Sequence, residues 1–482
     1  MSLSKFMVKK SIASIQAESQ KSELKRTLSA LNLISLGIGC IIGAGIFVMT
    51  GQAAAQYAGP AIMISFVIAG LCCAFAGLCY AELAAMLPVS GSAYSYAYAS
   101  VGELLAWIMG LLLLLEYGIA ASTVAVGWSG YVVSFLGNFN IVIPVSLTTP
   151  TLQIINDGKD LIFTGGINLP ALLGVSTMAA LLVLGVKESA NINNVIVFIK
   201  LTVVVLFIVI GAFYVDPANW HPFIPEATSD GKYGWDGILR GAGIVFFAYV
   251  GFEAVSTAAQ EAKNPQRDIP IGILGSLAVC TVLYMAVAAV LTGLVPYTTL
   301  NVPDPIAKAV DAIHLPWLSF VVKIGAIAGL TSVMMVLMYG QTRVFYTMAK
   351  DGLMPAVFSK VHPKFHTPYI NTIVVGLVIG LIAATTPIDI LGDLVSLGTL
   401  TAFAIICFTV LYLRKVEPNL PRPFKVPFSP FFPILGILFC GYLVYGLLSN
   451  PVTVKFYFVY LVVGLVIYFT YSQKHSKLRK QS

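Results

Sequence analysis

Two glycine-rich stretches, GIGCIIGAGIF at residues 37–47 and GAGIVFFAYVGFE at residues 241–253, interrupt apolar segments at corresponding places in the two halves of the chain. Glycine leaves helical geometry at little steric cost, so we expect helix breaks at residues 43–45 and 248–251. Irregular backbone at membrane depth persists only where it is buried in protein or lines a water-filled cavity. A pair of such breaks in equivalent segments therefore predicts a binding site where they meet.

The composition places these stretches in a membrane protein. Hydrophobic residues make up 58% of the chain and charged residues 10%, against roughly 25% charged residues in soluble domains. Apolar runs of about 20 residues recur, and each can cross a hydrocarbon core as a helix. We therefore predict an all-α polytopic membrane protein. Its twelve predicted spans are residues 31–50, 60–87, 102–136, 167–186, 191–214, 237–258, 270–295, 316–345, 369–386, 388–413, 429–449 and 453–472.

The predicted spans fall into two repeats. Five is an odd number, so two consecutive five-span units lie in the bilayer with opposite orientation, which is the inverted-repeat plan of many transporters. The first span of each unit is the broken one. We predict a first repeat at residues 31–213, a second at residues 237–413 and two accessory spans at residues 429–472, with terminal segments at residues 1–30 and 473–482.

Basic residues give the expected orientation. Most of the 28 lysines and arginines lie in the terminal segments and in the loops on the same side of the predicted spans. The positive-inside rule then places both termini in the cytoplasm, which requires an even number of spans. The net charge of +7 reflects these flanks rather than affinity for nucleic acid. We therefore expect a multi-pass protein of the cell membrane.

Lys200 stands alone in the apolar run at residues 195–213. A charged side chain at bilayer depth costs roughly 2.5 to 3.5 kcal/mol on insertion scales, so such a residue is a functional candidate by default. A buried lysine can gain and release a proton as its surroundings alternate, which suggests proton coupling. The alternative is a permanently charged tether to backbone carbonyl groups of the first span. The two interpretations share a geometry and differ in coupling.

Glu116 and Glu253 are the other charged residues near the middle of predicted spans. An unpaired carboxyl group there is expected to be neutral or to face a polar cavity. We expect both side chains to form structural or gating hydrogen bonds rather than to contact a substrate directly.

Other activities lack the residues that they need. The sequence contains no Walker motif, dinucleotide fingerprint or nucleophile elbow, so neither ATP hydrolysis nor acyl chemistry has an apparatus. The seven cysteines fall within predicted spans without the spacing of zinc ligands. We therefore expect no enzymatic activity, metal or cofactor. An open channel is disfavoured as well, because a site built on paired breaks implies occlusion.

Four motifs carry a resemblance to a known family. They are GIGCIIGAGIFVMTG at residues 37–51, LPVSGSAYSYAYASVGELLAWIMG at residues 87–110, FFAYVGFEAVSTAAQEAKNPQRDIPIGI at residues 246–273 and YGQTRVFYTMAKDGLMPAVFSKVHPKFHTP at residues 339–368. In combination they are similar to the cationic amino acid transporter family of the amino acid-polyamine-organocation superfamily. The resemblance covers nearly all of residues 28–450. It implies the LeuT-type fold, the twelve spans of bacterial members and transport of L-amino acids.

The resemblance also implies how a substrate is held. Its carboxylate is expected to meet the backbone N–H groups of Gly43, Ala44 and Gly45. Its ammonium is expected to meet carbonyl groups of the two breaks, which belong to Ile41, Phe247, Ala248 and Val250.

Three further side chains gain a role from the resemblance. Phe247 is implied to be the aromatic gate above the substrate. Lys200 matches the fifth-span lysine of proton-coupled, sodium-independent members, in which the ammonium stands in for the sodium ion of related transporters. Glu253 replaces the aspartate that the family commonly has, which changes its reach by one methylene group.

The predicted side-chain pocket is apolar, with Ile41, Ala44, Phe247, Val250 and Leu330 around it. An apolar lining discriminates by size and gives little reason to require a charge. We therefore expect symport of small or medium neutral L-amino acids with a proton, by alternating access. The alternative, which the family name suggests, is a uniporter or exchanger of arginine and lysine.

Overall fold

The three-dimensional structure is a computed structural model, and it describes residues 8–9, 27–87, 92–155, 160–185, 190–228, 231–258 and 261–481. Most of the predicted N-terminal segment at residues 1–30 lies outside these ranges, as does the last residue of the predicted C-terminal tail.

Apolar helices make up most of the described chain, as expected where every backbone polar group must be satisfied within the protein. Their bounds are α1 Ala30–Ile41, α2 Ile62–Met86, α3 Ser92–Ser100, α4 Glu103–Gly137, α5 Leu169–Val183, α6 Ala190–Gly211, α7 Gly234–Val245, α8 Pro265–Leu294, α9 Pro305–Ala312, α10 Pro316–Lys350, α11 Tyr369–Thr385, α12 Ile388–Val416, α13 Phe431–Leu447 and α14 Pro451–Ile467. Two antiparallel strands, β1 Leu152–Ile155 and β2 Asp160–Phe163, form a hairpin between α4 and α5 that hydropathy did not predict.

Eight helical stretches of the described chain are long and apolar enough to cross a membrane. They are Gly45–Met86, Glu103–Gly137, Val195–Tyr214, Gly234–Ser256, Pro265–Leu294, Pro316–Lys350, Ile388–Val416 and Pro451–Lys480, and shorter apolar helices are Ala30–Ile41, Leu169–Val183, Tyr369–Thr385 and Phe431–Leu447. The protein is therefore a multi-pass membrane protein. Helix ends differ from the predicted ones where polar turns extend an apolar run. For example, α8 begins at Pro265 rather than at residue 270, and Asp268 in its first turn accepts a hydrogen bond from the Asn264 N–H at 3.1 Å.

Both predicted breaks exist, and both are displaced from the predicted residues. The first span leaves the helix at Ile42 and Gly43, whereas Ala44 is already helical and a π-helical turn follows at Gly45–Met49. Helical bonding resumes this early because the Phe47 N–H reaches the Gly43 carbonyl at 3.3 Å.

The second span continues beyond α7 as a 3-10 turn, Phe246–Tyr249, and is irregular only at residues 250–253. Gly251 has a φ of +114° there, a conformation that glycine adopts without the steric cost that a side chain would bring. A short helical turn, Ala254–Thr257, follows the break.

The central helix of the bundle is α4, which packs against α5, α10, α11 and α12. Its residues 109–127 are buried on every side, as expected for a helix that is apolar all round. At its first residue, Glu103 forms an ion pair with Arg479, and the Glu103 N–H donates to the Val8 carbonyl at 3.0 Å. Both ends of the described chain therefore lie at the same end of α4.

Candidate functional site

Lys200 lies against the break in the first span. Its ammonium nitrogen donates hydrogen bonds to the carbonyl oxygens of Gly39 at 2.7 Å and Ile42 at 3.2 Å. The side chain is 1% exposed. The last carbonyl groups of a helix lack intrahelical partners and carry partial negative charge. A buried cation from α6 therefore satisfies the carbonyl groups that the end of α1 leaves open.

Three consecutive backbone N–H groups at this break have no such partner. Among the described residues, the N–H groups of Gly43, Ala44 and Gly45 form no hydrogen bond, whereas the Ile42 N–H donates to the Ile38 carbonyl at 2.9 Å. The first N–H groups of a helical segment carry partial positive charge and are suited to anions. This backbone can therefore receive a carboxylate, in the place that the sequence predicts for it.

The two breaks are packed against each other. A Cβ atom added at Gly45 would lie 2.2 Å from the Cα atom of Ala248, and one added at Gly251 would lie 2.9 Å from the Cys40 carbonyl oxygen. These distances are too short for a side chain. Glycine is therefore required at both crossing points because the backbones themselves are in contact.

Tyr284 joins the two breaks, and sequence reasoning missed it. Its hydroxyl oxygen lies 2.9 Å from the Ile41 carbonyl oxygen and 2.8 Å from the Ala248 carbonyl oxygen, so it can donate its proton to either one. The side chain is fully buried on α8. Each carbonyl oxygen has two lone pairs, so both can still accept a bond from a substrate ammonium. No sequence pattern distinguishes this tyrosine from others in apolar helices.

A small cavity of about 20 Å³ lies at the crossing point. Its lining residues are Cys40, Ile41, Gly43, Ala44, Gly45, Ala120, Val124, Phe247, Val250, Val333 and Leu337. Six of the eight predicted substrate-binding residues are among them. The other two are not: Ala248 packs on Gly45, and Leu330 is buried on α10, whose lining residues are Val333 and Leu337. The cavity holds about one water molecule, so an amino acid requires the surrounding helices to move.

The aliphatic part of Lys200 is held by α10. A Cβ atom added at Gly329 would lie 2.8 Å from the Cδ atom of Lys200, and one added at Gly325 would lie 2.4 Å from a methyl group of Val203. These glycines are four residues apart in the sequence GAIAG, at residues 325–329. A small-xxx-small pattern is typical of close helix packing in membranes. In the sequence, this pattern indicates that α10 packs closely against another helix, which the structure shows to be α6.

Glu116 and Glu253 lie next to each other, also fully buried. Their carboxyl groups interact electrostatically. One oxygen of Glu253 accepts a hydrogen bond from the Gly251 N–H at 3.0 Å, within the second break. This hydrogen bond of Glu253 lies within one span, between residues two positions apart. Both oxygens of Glu116 lack a partner among the described residues.

A larger cavity of about 1090 Å³ opens at the end of α4 opposite to the chain ends. Its polar lining includes Gln56, Ser129, Asn168, Arg240 and Asp304. Burial raises the pKa of the Asp304 carboxyl group, while a hydrogen bond from Ser134 and the charge of Lys323 oppose that rise. With its volume and polar lining, this vestibule has room for polar solutes.

Two touching helix breaks inside an apolar bundle, with a polar vestibule on one side, define the class: this is a membrane transporter and not an enzyme. The chain belongs to the amino acid permease family, whose model matches residues 28–469.

Several known proteins are similar to this chain over most of its length. A methylthioribose transporter of Bacillus subtilis is 46% identical over 99% of this chain and the whole of that protein. The branched-chain amino acid permease BcaP of the same organism is 48% identical over 98% of each chain. The vacuolar cationic amino acid transporter 4 of Arabidopsis thaliana is 37% identical over 82% of this chain and 64% of the plant protein. The predicted membership among amino acid transporters is confirmed.

Proposed function

We propose that the chain is a proton-coupled symporter of neutral L-amino acids that works by alternating access. The observation that carries this proposal is the position of Lys200, whose ammonium bonds the Gly39 and Ile42 carbonyl oxygens at the first break. A proton on this amine holds the break in its present form. Loss of the proton leaves two N–H groups on a neutral amine but removes the charge that strengthens both hydrogen bonds, so the form of the break and the protonation of Lys200 are linked.

The lining of the small cavity supports an aliphatic substrate. Among the described residues, its side chains are apolar and none is acidic. An apolar pocket stabilises an aliphatic side chain by burial, at roughly 25 cal/mol per Å², and gives a cation no partner. The name of the Bacillus subtilis branched-chain permease agrees with this chemistry. We infer that leucine, isoleucine, valine and smaller neutral amino acids are the substrates, in preference to arginine and lysine.

The packing of the helices supports an inverted repeat of five spans. Counting the first broken span, α2, α4, α5 and α6 as one unit and the second broken span, α8, α10, α11 and α12 as the other, helix contacts occur in equivalent pairs. The contact of α1 with α8 matches that of α2 with α7, and the contact of α4 with α12 matches that of α6 with α10. With α13 and α14 appended, the chain has twelve spans. The distribution of basic residues supports cytoplasmic termini, and the resemblance to bacterial members with twelve spans supports a bacterial cell membrane.

The test uses purified protein in proteoliposomes with labelled leucine. We expect uptake against a gradient that requires no sodium and accelerates when the external pH falls, because low external pH favours the charged form of Lys200. Lys200→Ala should reduce the internal to external ratio to about one while leaving binding in place. The proposal of proton coupling fails if uptake by Lys200→Ala remains concentrative.

Lys323→Ala is the matched control. Lys323 is also a buried lysine, 3% exposed, but it bonds to Asp311 at 3.2 Å and Asn138 at 3.0 Å, away from the breaks. This variant should keep concentrative uptake. Competition by each of the twenty amino acids against labelled leucine and labelled arginine then tests the substrate class. Stronger competition by arginine than by leucine would support the cationic uniporter or exchanger instead.

A further inference from the structure

The carboxyl groups of Glu116 and Glu253 form a buried acidic pair that the transport site does not use. Both side chains are 0% exposed, and they interact with each other. Three of their four oxygens have no hydrogen-bond partner among the described residues. The fourth accepts the bond from the Gly251 N–H. Neither residue lines the small cavity at the crossing point.

The side chains of the described chain that face the pair carry hydroxyl or thiol groups, and none of them is basic. The fully buried side chains of Tyr80 on α2 and Thr399 on α12 face the carboxyl groups with their hydroxyl groups. Among the described residues, the titratable groups that face the pair are all acids, namely Tyr80 and Cys73 on α2 and Tyr117 on α4. Within the described chain, no lysine, arginine or histidine forms an ion pair with Glu116 or Glu253.

Two ionised carboxylates cannot share a site of this kind. Burial in apolar surroundings disfavours each charge, and a like charge in contact disfavours it further. Other buried glutamates of this protein have cationic partners: Glu82 is paired with Arg414 and Glu103 with Arg479. Glu116 and Glu253 have no cationic partner among the described residues. A bound proton can take the place of that partner, because it neutralises one of the two carboxylates.

We propose that Glu116 and Glu253 share one bound proton, as a second proton site separate from Lys200. The proton resides on one carboxyl oxygen and can be donated to the other carboxylate or to the nearby hydroxyl oxygens. Glu116 belongs to α4, the central helix, whereas Glu253 belongs to the break of the second span. The shared proton therefore links the centre of the bundle to a segment that moves in alternating access.

The proton is released when the two carboxyl groups separate, because each then gains water and loses the like charge that kept its neighbour neutral. This release step rests on the proposed transport function. The presence of the proton does not, since it follows from the burial of the two carboxyl groups and from their contact with each other.

Infrared spectroscopy of the purified full-length protein at neutral pH tests the site directly. The wild-type minus E116Q/E253Q difference spectrum should contain one carboxylic acid C=O band that shifts in deuterium oxide. The matched control is E82Q, which removes a buried glutamate that is paired with Arg414; its difference spectrum should contain a carboxylate band and no acid band. Glutamine mimics a protonated glutamate, so E116Q/E253Q is expected to fold.

Three results would overturn the proposal. The acid band could be missing from the wild-type difference spectrum, which means that both groups are ionised. It could disappear on addition of sodium chloride at constant pH, which identifies a metal-cation site. It could disappear on addition of arginine, which identifies a subsite for a cationic substrate side chain.

The release step has its own readout, the pH dependence of leucine binding. Wild type should titrate in two steps, E253Q should lose one of them, and Lys200→Ala should lose the other. Retention of both steps in E253Q would overturn release. If leucine is not bound at all, the proposed substrate is wrong. The infrared experiment still tests the shared proton, because it does not depend on leucine.

Discussion

The two broken spans differ in which groups bond the backbone atoms that have no partner within a helix. At the first break, the carbonyl oxygens of Gly39 and Ile42 accept hydrogen bonds from Lys200, which lies about 160 residues further along the chain, on α6. At the second break, the Gly251 N–H donates to Glu253, which lies two residues away on the same span. A lysine from another helix bonds the carbonyl groups of the first break, and a glutamate from the same span bonds an N–H group of the second.

This difference has a mechanical consequence. Bonds between helices are lost when the helices separate, whereas a bond within one span moves with that span. The form of the first break therefore depends on where α6 lies, because Lys200 on α6 donates to its carbonyl groups. The second break keeps its own form, and its link to the rest of the bundle is the contact of Glu253 with Glu116. The two breaks thus differ in the chemical groups that hold them.

The largest effect is expected where the two breaks touch. Gly45→Val should weaken leucine binding by roughly 100-fold or more, because any Cβ atom there would lie 2.2 Å from the Cα atom of Ala248 and overpacking costs up to about 3 kcal/mol, at about 1.4 kcal/mol per factor of ten. Equilibrium binding of labelled leucine to the purified variant provides the measurement. Wild-type affinity would contradict a carboxylate site built from the backbone at the crossing point.

Gly43→Ala is the matched control for this substitution. A Cβ atom at Gly43 would lie 3.3 Å from a methyl group of Val333, a side chain that can shift by a few tenths of an ångström. Gly43→Ala should therefore reduce affinity far less than Gly45→Val. Equal losses in both variants would mean that bulk anywhere in the first break is decisive, and the contact between breaks would not be the cause.

Sequence reasoning found the breaks but not their limits. Glycine-rich stretches at corresponding positions predicted both breaks. The resemblance implies a carboxylate at the N–H groups of Gly43, Ala44 and Gly45, which form no hydrogen bond among the described residues. The break residues were displaced by one or two positions because tertiary hydrogen bonds decide where a helix resumes. Tyr284 could not be predicted, since it contacts the Ile41 carbonyl across 243 residues of sequence. The GAIAG pattern at residues 325–329 indicates close packing of α10 against another helix, but it does not identify Lys200 as the contact.

A smaller effect is expected at the second break. Gly251→Ala should lower the thermal stability of the detergent-solubilised protein by roughly 1–3 kcal/mol, because a φ of +114° is strained for any residue with a side chain and the added Cβ atom would lie 2.9 Å from the Cys40 carbonyl oxygen. Thermal unfolding followed by tryptophan fluorescence measures it. Since Lys200 bonds carbonyl groups of the first break and not of the second, the dependence of uptake on Lys200 should survive.

Gly441→Ala controls for the substitution itself. No atom of the described chain lies within 4 Å of the position that its Cβ atom would take, and Gly441 lies inside helix α13. Alanine favours helix over glycine by about 1 kcal/mol, so this variant should be as stable as wild type or more so. A Gly251→Ala protein with unchanged stability would mean that the second break relaxes freely, and it would then no longer differ from the first.

The smallest effect is expected at the hydroxyl group that both breaks share. Tyr284→Phe removes the donor near the Ile41 and Ala248 carbonyl oxygens. One buried hydrogen bond contributes about 0.5–1.5 kcal/mol, so leucine affinity should fall roughly 2- to 10-fold.

Tyr249→Phe is the matched control, because the equally buried hydroxyl group of Tyr249 donates to the Phe66 carbonyl at 2.9 Å and does not reach the first break. Both variants should lose similar stability, and only Tyr284→Phe should lose affinity. Equal affinities would mean that Tyr284 supports the fold without holding the two breaks in register.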